Sequence, residues 1–268
     1  MPRKLGQHFL KNQAAIKKIV AALELRPGET ALEVGTGHGE LTTELLKHDI
    51  NLIAVEKDKN LTRSAGWRTK VKIIEGDILK ILPPLANKLQ ATPYKLVGNI
   101  PYYLTGYLLR LIGELEHKPS LIVFTLQKEV AERIAAQPPQ MNKLAASVQF
   151  WAEPEIIDYL KPGDFSPPPK VHSAIIRLLP KPYPSNITST RPEAQNYINR
   201  SNVTGYTPNP KPYYKLVNLL FRQPRKTIFN NLRGTGLEKR LPELGLTGKE
   251  RPQNLSLETI HRLARLFH

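Results

Sequence analysis

Short apolar runs alternate with amphipathic segments along the first 160 or so residues, and this alternation restricts the fold more than any other feature. Ala31-Leu-Glu-Val34, Leu52-Ile-Ala-Val55, Val71-Lys-Ile-Ile74, Tyr94-Lys-Leu-Val97 and Leu121-Ile-Val-Phe-Thr-Leu126 read as strands. Helical spacing marks Ala14–Leu25, Glu40–Lys47, Tyr107–Glu116 and Lys128–Ala136. Parallel strands need a crossover connection, so strands separated by helices predict an α/β fold with a doubly wound, mostly parallel sheet. Glu155–Leu160 and Ser173–Leu178 are two further strand-like runs and bring the expected sheet to seven strands. Sheets of this kind bind ligands beyond the carboxyl ends of their strands.

Charge points to a polyanionic partner. The 268 residues carry a formal net charge of +16, and from Lys181 onward fifteen Lys and Arg face five Asp and Glu. That excess suggests nucleic acid. Pro182–Pro212 is rich in Pro, Asn, Ser and Thr and reads as a linker or insertion. The chain is therefore expected to divide into a catalytic domain over 1–181, the linker 182–212 and a small basic helical domain over 213–268. Helices are expected there at Tyr213–Leu220, Arg225–Leu232 and Leu257–Phe267. Arg222, Arg225 and Lys226 fall within one helical turn and are the candidate contacts to RNA phosphate. A 40% hydrophobic content supports a packed globule. The absence of cysteine excludes disulfides, iron–sulfur clusters, cysteine zinc sites and thiol nucleophiles, and no metal is expected. No run is long and apolar enough to span a membrane, and Met1–Asn12 leads into no apolar stretch, so a cytoplasmic protein without a membrane partner is expected.

Glu33-Val-Gly35-Thr-Gly37-His-Gly39 sits where a strand turns into a helix. Glycines there let the backbone turn tightly and approach a ligand. Glu56 closes the next strand and suits the two hydroxyls of a ribose; Asp77, after the third strand, suits an adenine amino group. A nicotinamide or flavin dinucleotide would use G-x-G-x-x-G, but Glu40 stands in the place of the last glycine, beside where a pyrophosphate would lie. S-adenosylmethionine has no phosphate and carries a cationic sulfonium, so Glu33 and Glu40 are compatible with it. A dehydrogenase is accordingly the weaker reading.

Asn99-Ile-Pro-Tyr102 follows the fourth strand and opens on the same rim. An exocyclic amine on a base is a poor nucleophile, because its lone pair is delocalised into the ring. The Asn99 carboxamide oxygen and a backbone carbonyl next to Pro101 can accept its hydrogens. Tyr102 offers a ring face for stacking, and Phe165, in Phe165-Ser-Pro-Pro-Pro169, is a second candidate ring.

These segments resemble the ribosomal RNA adenine dimethyltransferase family, in its small-subunit branch. The resemblance rests on Leu5-Gly-Gln-His-Phe-Leu10, Glu33-Val-Gly-Thr-Gly37, Val55-Glu56, Gly76-Asp77, Gly98-Asn-Ile-Pro-Tyr-Tyr103, Leu126-Gln-Lys-Glu-Val130, Phe165-Ser-Pro-Pro-Pro-Lys-Val171, Arg225-Lys-Thr-Ile-Phe-Asn-Asn-Leu232 and Asn254-Leu-Ser256. It implies a class I methyltransferase fold, S-adenosylmethionine as cofactor, and dimethylation at N6 of two adjacent adenosines near the 3′ end of small-subunit rRNA. It implies that His8 and Leu10 border the cofactor, that Gly35 contacts its backbone with Gly37 in the same turn, that Glu56 holds the ribose and Asp77 the adenine amine. Asn99 would lie at the methyl-transfer centre, with Tyr102 and Phe165 at base-stacking positions. Expected partners are small-subunit rRNA and the immature small subunit, met by a monomer. His8 stands where some members have Asn, Thr36 where many have Pro, and Pro224 interrupts a common basic run. The alternatives are a large-subunit adenine methyltransferase of the Erm type and a mainly non-catalytic assembly factor.

Overall fold

The computed structural model describes residues 7–63, 66–181 and 210–267. Residues 182–209, nearly all of the expected insertion, lie outside the described residues, as do the first six. The chain divides into two compact units, Met1–Ala135 with Glu153–Pro180, and Ala136–Ala152 with Lys181–His268.

Among the described residues the first unit holds nine strands: β1 (Phe9–Leu10), β2 (Thr30–Val34), β3 (Asn51–Glu56), β4 (Lys72–Glu75), β5 (Tyr94–Asn99), β6 (Leu121–Gln127), β7 (Ala152–Leu160), β8 (Phe165–Ser166) and β9 (Ser173–Pro180). Seven form one sheet in the order β4-β3-β2-β5-β6-β9-β7, which includes every strand expected from the sequence. The pairs from β4 through to β6 are parallel, and β9 runs antiparallel to β6. The central strands are buried throughout, and for that reason they read as continuous apolar runs rather than alternating ones. The chain leaves β2 toward β3 and β4 and returns to β5 on the other side of β2. That reversal creates a crevice beyond the carboxyl ends of β2 and β5. The short strands β1 and β8 pair separately, Phe9 opposite Ser166 and Leu10 opposite Phe165.

The helices follow local signals. Asn12 caps α1 (Gln13–Ala22), accepting the Ala14 and Ala15 N–H groups at 2.9 and 3.2 Å. Next come α2 (Glu40–Leu45), α3 (Lys59–Arg63), α4 (Ile78–Lys88), α5 (Thr105–Glu114) and α6 (Lys128–Ala135). The helices expected from the sequence do not include α4, and Pro83 and Pro84 sit inside it. A mid-helix proline costs about 3 kcal/mol; burial of Ile78, Leu82, Leu85 and Ala86, with Asp77 as N-cap, offsets it.

The second unit contains α7 (Lys143–Gln149), α8 (Pro210–Leu220), α9 (Ile228–Leu232) and α10 (Leu257–Leu266). The expected boundary at residue 181 is corrected, because residues 136–152 group with the C-terminal part of the chain. Met141, Ala145 and Ala146 share a buried cluster with Tyr213, Leu216, Leu220, Ile260 and Leu263. The Tyr213 hydroxyl donates to the Ala146 carbonyl at 2.8 Å. The expected helix Arg225–Leu232 starts only at Ile228, with Thr227 as N-cap, and Arg222–Lys226 form a turn instead. Pro224 disfavours helix there, and the buried Asn231 side chain fixes the turn. It accepts the Gln223 N–H at 3.2 Å and donates to the carbonyls of Gln223, Lys226 and Thr227. Among the described residues no helix is long and apolar enough to cross a membrane, and no cluster of His, Cys, Asp and Glu is arranged to hold a metal.

Candidate active site

The crevice at the switch point is a deep cleft. His8, Leu10, Gly35, Gly37, Glu56, Asp77, Asn99, Pro101, Tyr102 and Phe165 all line it. These are the ten cofactor and reaction-site residues expected from the sequence. They arrive from separate stretches of chain, because parallel strands deliver their carboxyl ends to one edge.

One wall is the loop after β2. Gly35 and Gly37 adopt φ of +74° and +55°, and a Cβ at Gly35 would meet no atom within 4 Å. Glycine therefore leaves open space at Gly35, and the backbone can be approached closely. A Cβ at Gly37 would come within 2.7 Å of the Phe9 ring. The buried Glu56 carboxylate uses one oxygen to accept the Gly37 N–H at 3.2 Å and the Thr36 hydroxyl at 3.4 Å, and the other to accept the Asp58 N–H at 2.8 Å. A carboxylate has about four acceptor sites, so Glu56 keeps capacity for a ligand. Asp77 caps α4 through the Leu79 N–H at 3.0 Å and pairs with the Lys57 ammonium at 3.1 Å. Partial burial pushes its carboxyl up, but those donors together hold it below the usual carboxylate range.

Beneath the loop lies Glu33, fully buried. Its Oε2 accepts the Thr42 hydroxyl at 2.7 Å, and its Oε1 meets no partner among the described residues. Burial, with Glu56 and Glu40 adding repulsion against the Thr42 bond, pushes its carboxyl up to about 8. Glu33 is therefore mostly neutral at pH 7, which corrects its expected part in the negative charge of the cleft.

The other wall follows β5. The Asn99 Nδ2 donates to the His8 carbonyl at 2.7 Å. A carbonyl only accepts, so this bond fixes the amide and leaves Oδ1 as the acceptor that remains. The Pro101 carbonyl accepts the Leu104 N–H at 2.8 Å, and Ile100 and Pro101 both line the cleft next to Asn99. The Tyr102 hydroxyl is bonded to Ser173 Oγ at 2.9 Å, and the ring lies 5.9 Å from that of His8. Burial pushes the Tyr102 phenol up despite that bond. The His8 ring contacts the Pro167 carbonyl at 2.8 Å, so its side chain serves this wall rather than the glycine loop. Phe165 reaches the cleft but is only 2% exposed; it belongs to the core cluster with Leu10, Val97 and Ile175. Ser173, Phe9 and Lys57 also shape the site; Phe9 falls in the Leu5–Leu10 segment, and no local pattern in the sequence marks Ser173 or Lys57.

Arg222, Arg225 and Lys226 are exposed on their turn in the second unit, and no ion pair joins them to an acid among the described residues.

The family of ribosomal RNA adenine dimethylases matches residues 1–190. The ribosomal RNA small subunit methyltransferase A of Dehalococcoides mccartyi is 38% identical over 265 residues, covering 95% of this chain and 84% of that protein. Among solved structures, a dimethyladenosine transferase from Plasmodium falciparum superposes with a TM-score of 0.76 at 22% identity, covering 96% of each chain. The 23S rRNA methyltransferase ErmE gives a TM-score of 0.70 at 24% identity, covering 97% of this chain and 99% of its own. At such identities the two structures bear on the fold alone, and the fold is that of the class I methyltransferases. With the family match and the similarity along almost the whole chain, the protein belongs to the ribosomal RNA adenine dimethylase family, a family of S-adenosylmethionine-dependent methyltransferases.

Proposed function

We propose that the protein transfers methyl groups from S-adenosylmethionine to N6 of two adjacent adenosines near the 3′ end of small-subunit rRNA, forming N6,N6-dimethyladenosine during small-subunit biogenesis. The observation that carries this reading is the Asn99 amide. Its nitrogen is anchored on the His8 carbonyl, which leaves its oxygen as an acceptor at the cleft, and a backbone carbonyl next to Pro101 is the second. Two acceptors at that point draw the hydrogens of an exocyclic amine and turn its lone pair away from the ring. Tyr102, held at its hydroxyl by Ser173, stacks on the target base. Phe165 also lines the cleft, with nearly all of its ring held in the core.

The residues fit the cofactor. Glu56 suits the ribose hydroxyls and Asp77 the adenine amino group, the latter sharing a carboxylate that already holds Lys57. The open space at Gly35 admits the body of the ligand. Glu40, in the first turn of α2, opposes a pyrophosphate there and so disfavours a dinucleotide. When bound, S-adenosylmethionine supplies an electrophilic methyl group. Leu10 borders it from β1 and His8 from just before that strand.

Arg222, Arg225 and Lys226 are read as phosphate contacts. The partners are small-subunit rRNA and the immature small subunit, approached by a monomer in the cytoplasm. The test is mass spectrometry of small- and large-subunit rRNA after incubation with protein and S-adenosylmethionine. Dimethyladenosine should form in small-subunit rRNA, and Asn99→Ala should abolish it while S-adenosylmethionine still binds. Methylation confined to large-subunit rRNA, or full transfer by Asn99→Ala, would overturn the reading.

A further inference from the structure

The turn 101–104 and α5 carry an aromatic surface that the methyl-transfer chemistry does not use. Tyr102 points its hydroxyl inward to Ser173. Its neighbour Tyr103 also lines the cleft but is 54% exposed, and Tyr107, one turn further along, is 68% exposed. These are the two most exposed large apolar side chains among the described residues. Single exposed aromatics are ordinary; here two lie four residues apart, the first lining the cleft and the second at the start of α5.

The exposure pattern gives the surface its shape. Positions 103, 106, 107 and 110 are exposed, while 105, 108 and 109 are buried, so Tyr103, Gly106, Tyr107 and Arg110 share the outer face. A Cβ at Gly106 would meet nothing within 4 Å, so the ground between the two rings is open. Arg110, paired with Glu114 at 3.0 Å, lies at the far end, and Lys57, paired with Asp77 at 3.1 Å, lines the cleft. Aromatic faces interleaved with cations are the chemistry that holds single-stranded nucleic acid. Tyrosine suits such a surface because it offers a large ring at the cost of few rotatable bonds.

We infer that Tyr103 and Tyr107 form a stacking platform for the unpaired bases that flank the target adenosine in single-stranded RNA. The inference rests on the activity proposed above. A base entering the cleft to stack on Tyr102 drags its neighbours across the rim, and the rim presents Tyr103 and then Tyr107. Every base has a π-face, so the platform tolerates sequence; it sets how the strand lies and not which base is chosen.

The test measures methyl transfer to unmethylated small ribosomal subunits by wild type, by Tyr103→Ala with Tyr107→Ala, and by Tyr103→Phe with Tyr107→Phe. Losing the ring faces should raise KM for the subunits about ten-fold or more, with kcat little changed. The Phe pair should keep the wild-type KM. The salt dependence of binding should be the same in all three, because ring faces neutralise no phosphate. S-adenosylmethionine affinity, read by calorimetry, should not move. An unchanged KM in the Ala pair overturns the platform. So does a Phe pair as weak as the Ala pair, or a loss of cofactor affinity, which would place Tyr103 on the cofactor side. A wild-type protein that transfers no methyl group to the subunits would remove the proposed activity, and this inference with it. The other refuting results leave that activity standing.

Discussion

Replacing Glu33 by Gln removes an ionisable group from a place where burial favours the proton. The folded carboxyl is raised from 4.5 to about 8. Between those values the folded chain keeps a proton that the unfolded chain has lost, so the contribution of Glu33 to stability falls as pH rises. The slope is about 1.4 kcal/mol per pH unit. By pH 7 Glu33 costs the folded state about 3 kcal/mol relative to a neutral residue. Gln accepts the Thr42 hydroxyl through its amide oxygen and does not titrate, while its amide nitrogen takes the unpartnered Oε1 position at a cost that does not change with pH. The stability of Glu33→Gln relative to wild type should therefore be constant below about pH 4 and rise progressively up to about pH 8.

The measurement is urea unfolding at several pH values, followed by Trp67 fluorescence in a Trp151→Phe background, because Trp67 belongs to the first unit and Trp151 to the second. Parallel stability profiles for the two proteins would refute the reasoning. A second readout follows from the ligand. A cation bound near Glu33 favours its carboxylate, so S-adenosylmethionine binding at pH 7 should release protons. The binding enthalpy should then depend on the buffer for wild type and not for Glu33→Gln.

Glu56→Ala removes a charged acceptor for ribose hydroxyls and frees the Gly37 N–H, and should weaken S-adenosylmethionine binding by about 1.5–3 kcal/mol in calorimetry. Replacing Arg222, Arg225 and Lys226 together by Gln should lower rRNA affinity and flatten its salt dependence by roughly 0.7–0.9 log units for each phosphate left without its cation; an unchanged slope would move the phosphate grip elsewhere. His261 is pushed down from 6.5 to about 4, by burial first and then by the charges of Lys181 and Arg265. The unfolded chain takes up that proton first, so the second unit should lose stability as pH falls from 6.5 toward 4, and His261→Phe should flatten that limb in Trp151 fluorescence.

The parallel sheet was legible because its strands are buried on both faces and so write themselves as unbroken apolar runs. The cleft was legible for a related reason: parallel strands end on one edge, so Gly35, Glu56, Asp77 and Asn99 share an address once the strands are known. Other features depend on partners far away in sequence. α4 hid behind Pro83 and Pro84, and only burial of Leu82 and Leu85 makes it a helix. α7 reads as part of the first unit until Tyr213 covers Ala146. The basic run at 222–226 has helical spacing but turns instead, because Asn231 satisfies its carbonyls from one side. The Tyr102–Ser173 bond spans 71 residues and leaves no local trace. The raised Glu33 carboxyl is equally invisible, since a glutamate before a glycine turn looks charged on paper.

The two walls of the cleft are joined by β1. Phe9 presses on the glycine loop, where a Cβ at Gly37 would collide with its ring. Just before this strand, the His8 carbonyl holds the Asn99 amide at 2.7 Å and the His8 ring meets the Pro167 carbonyl at 2.8 Å. β1 in turn pairs with β8, and the Lys11 and Asn12 N–H groups bond the Asp164 carbonyl at 2.9 and 3.3 Å. A shift of this strand therefore moves the cofactor wall and the acceptor oxygen together. Hydrogen bonds weaken steeply with misalignment, and a displacement of about 1 Å can cost a hundred-fold in rate. The orientation of Asn99 is thus a property of residues 8–12 as much as of the strand that ends on it, and a substitution that loosens β1 should slow transfer without touching any residue of the Asn-Ile-Pro-Tyr segment.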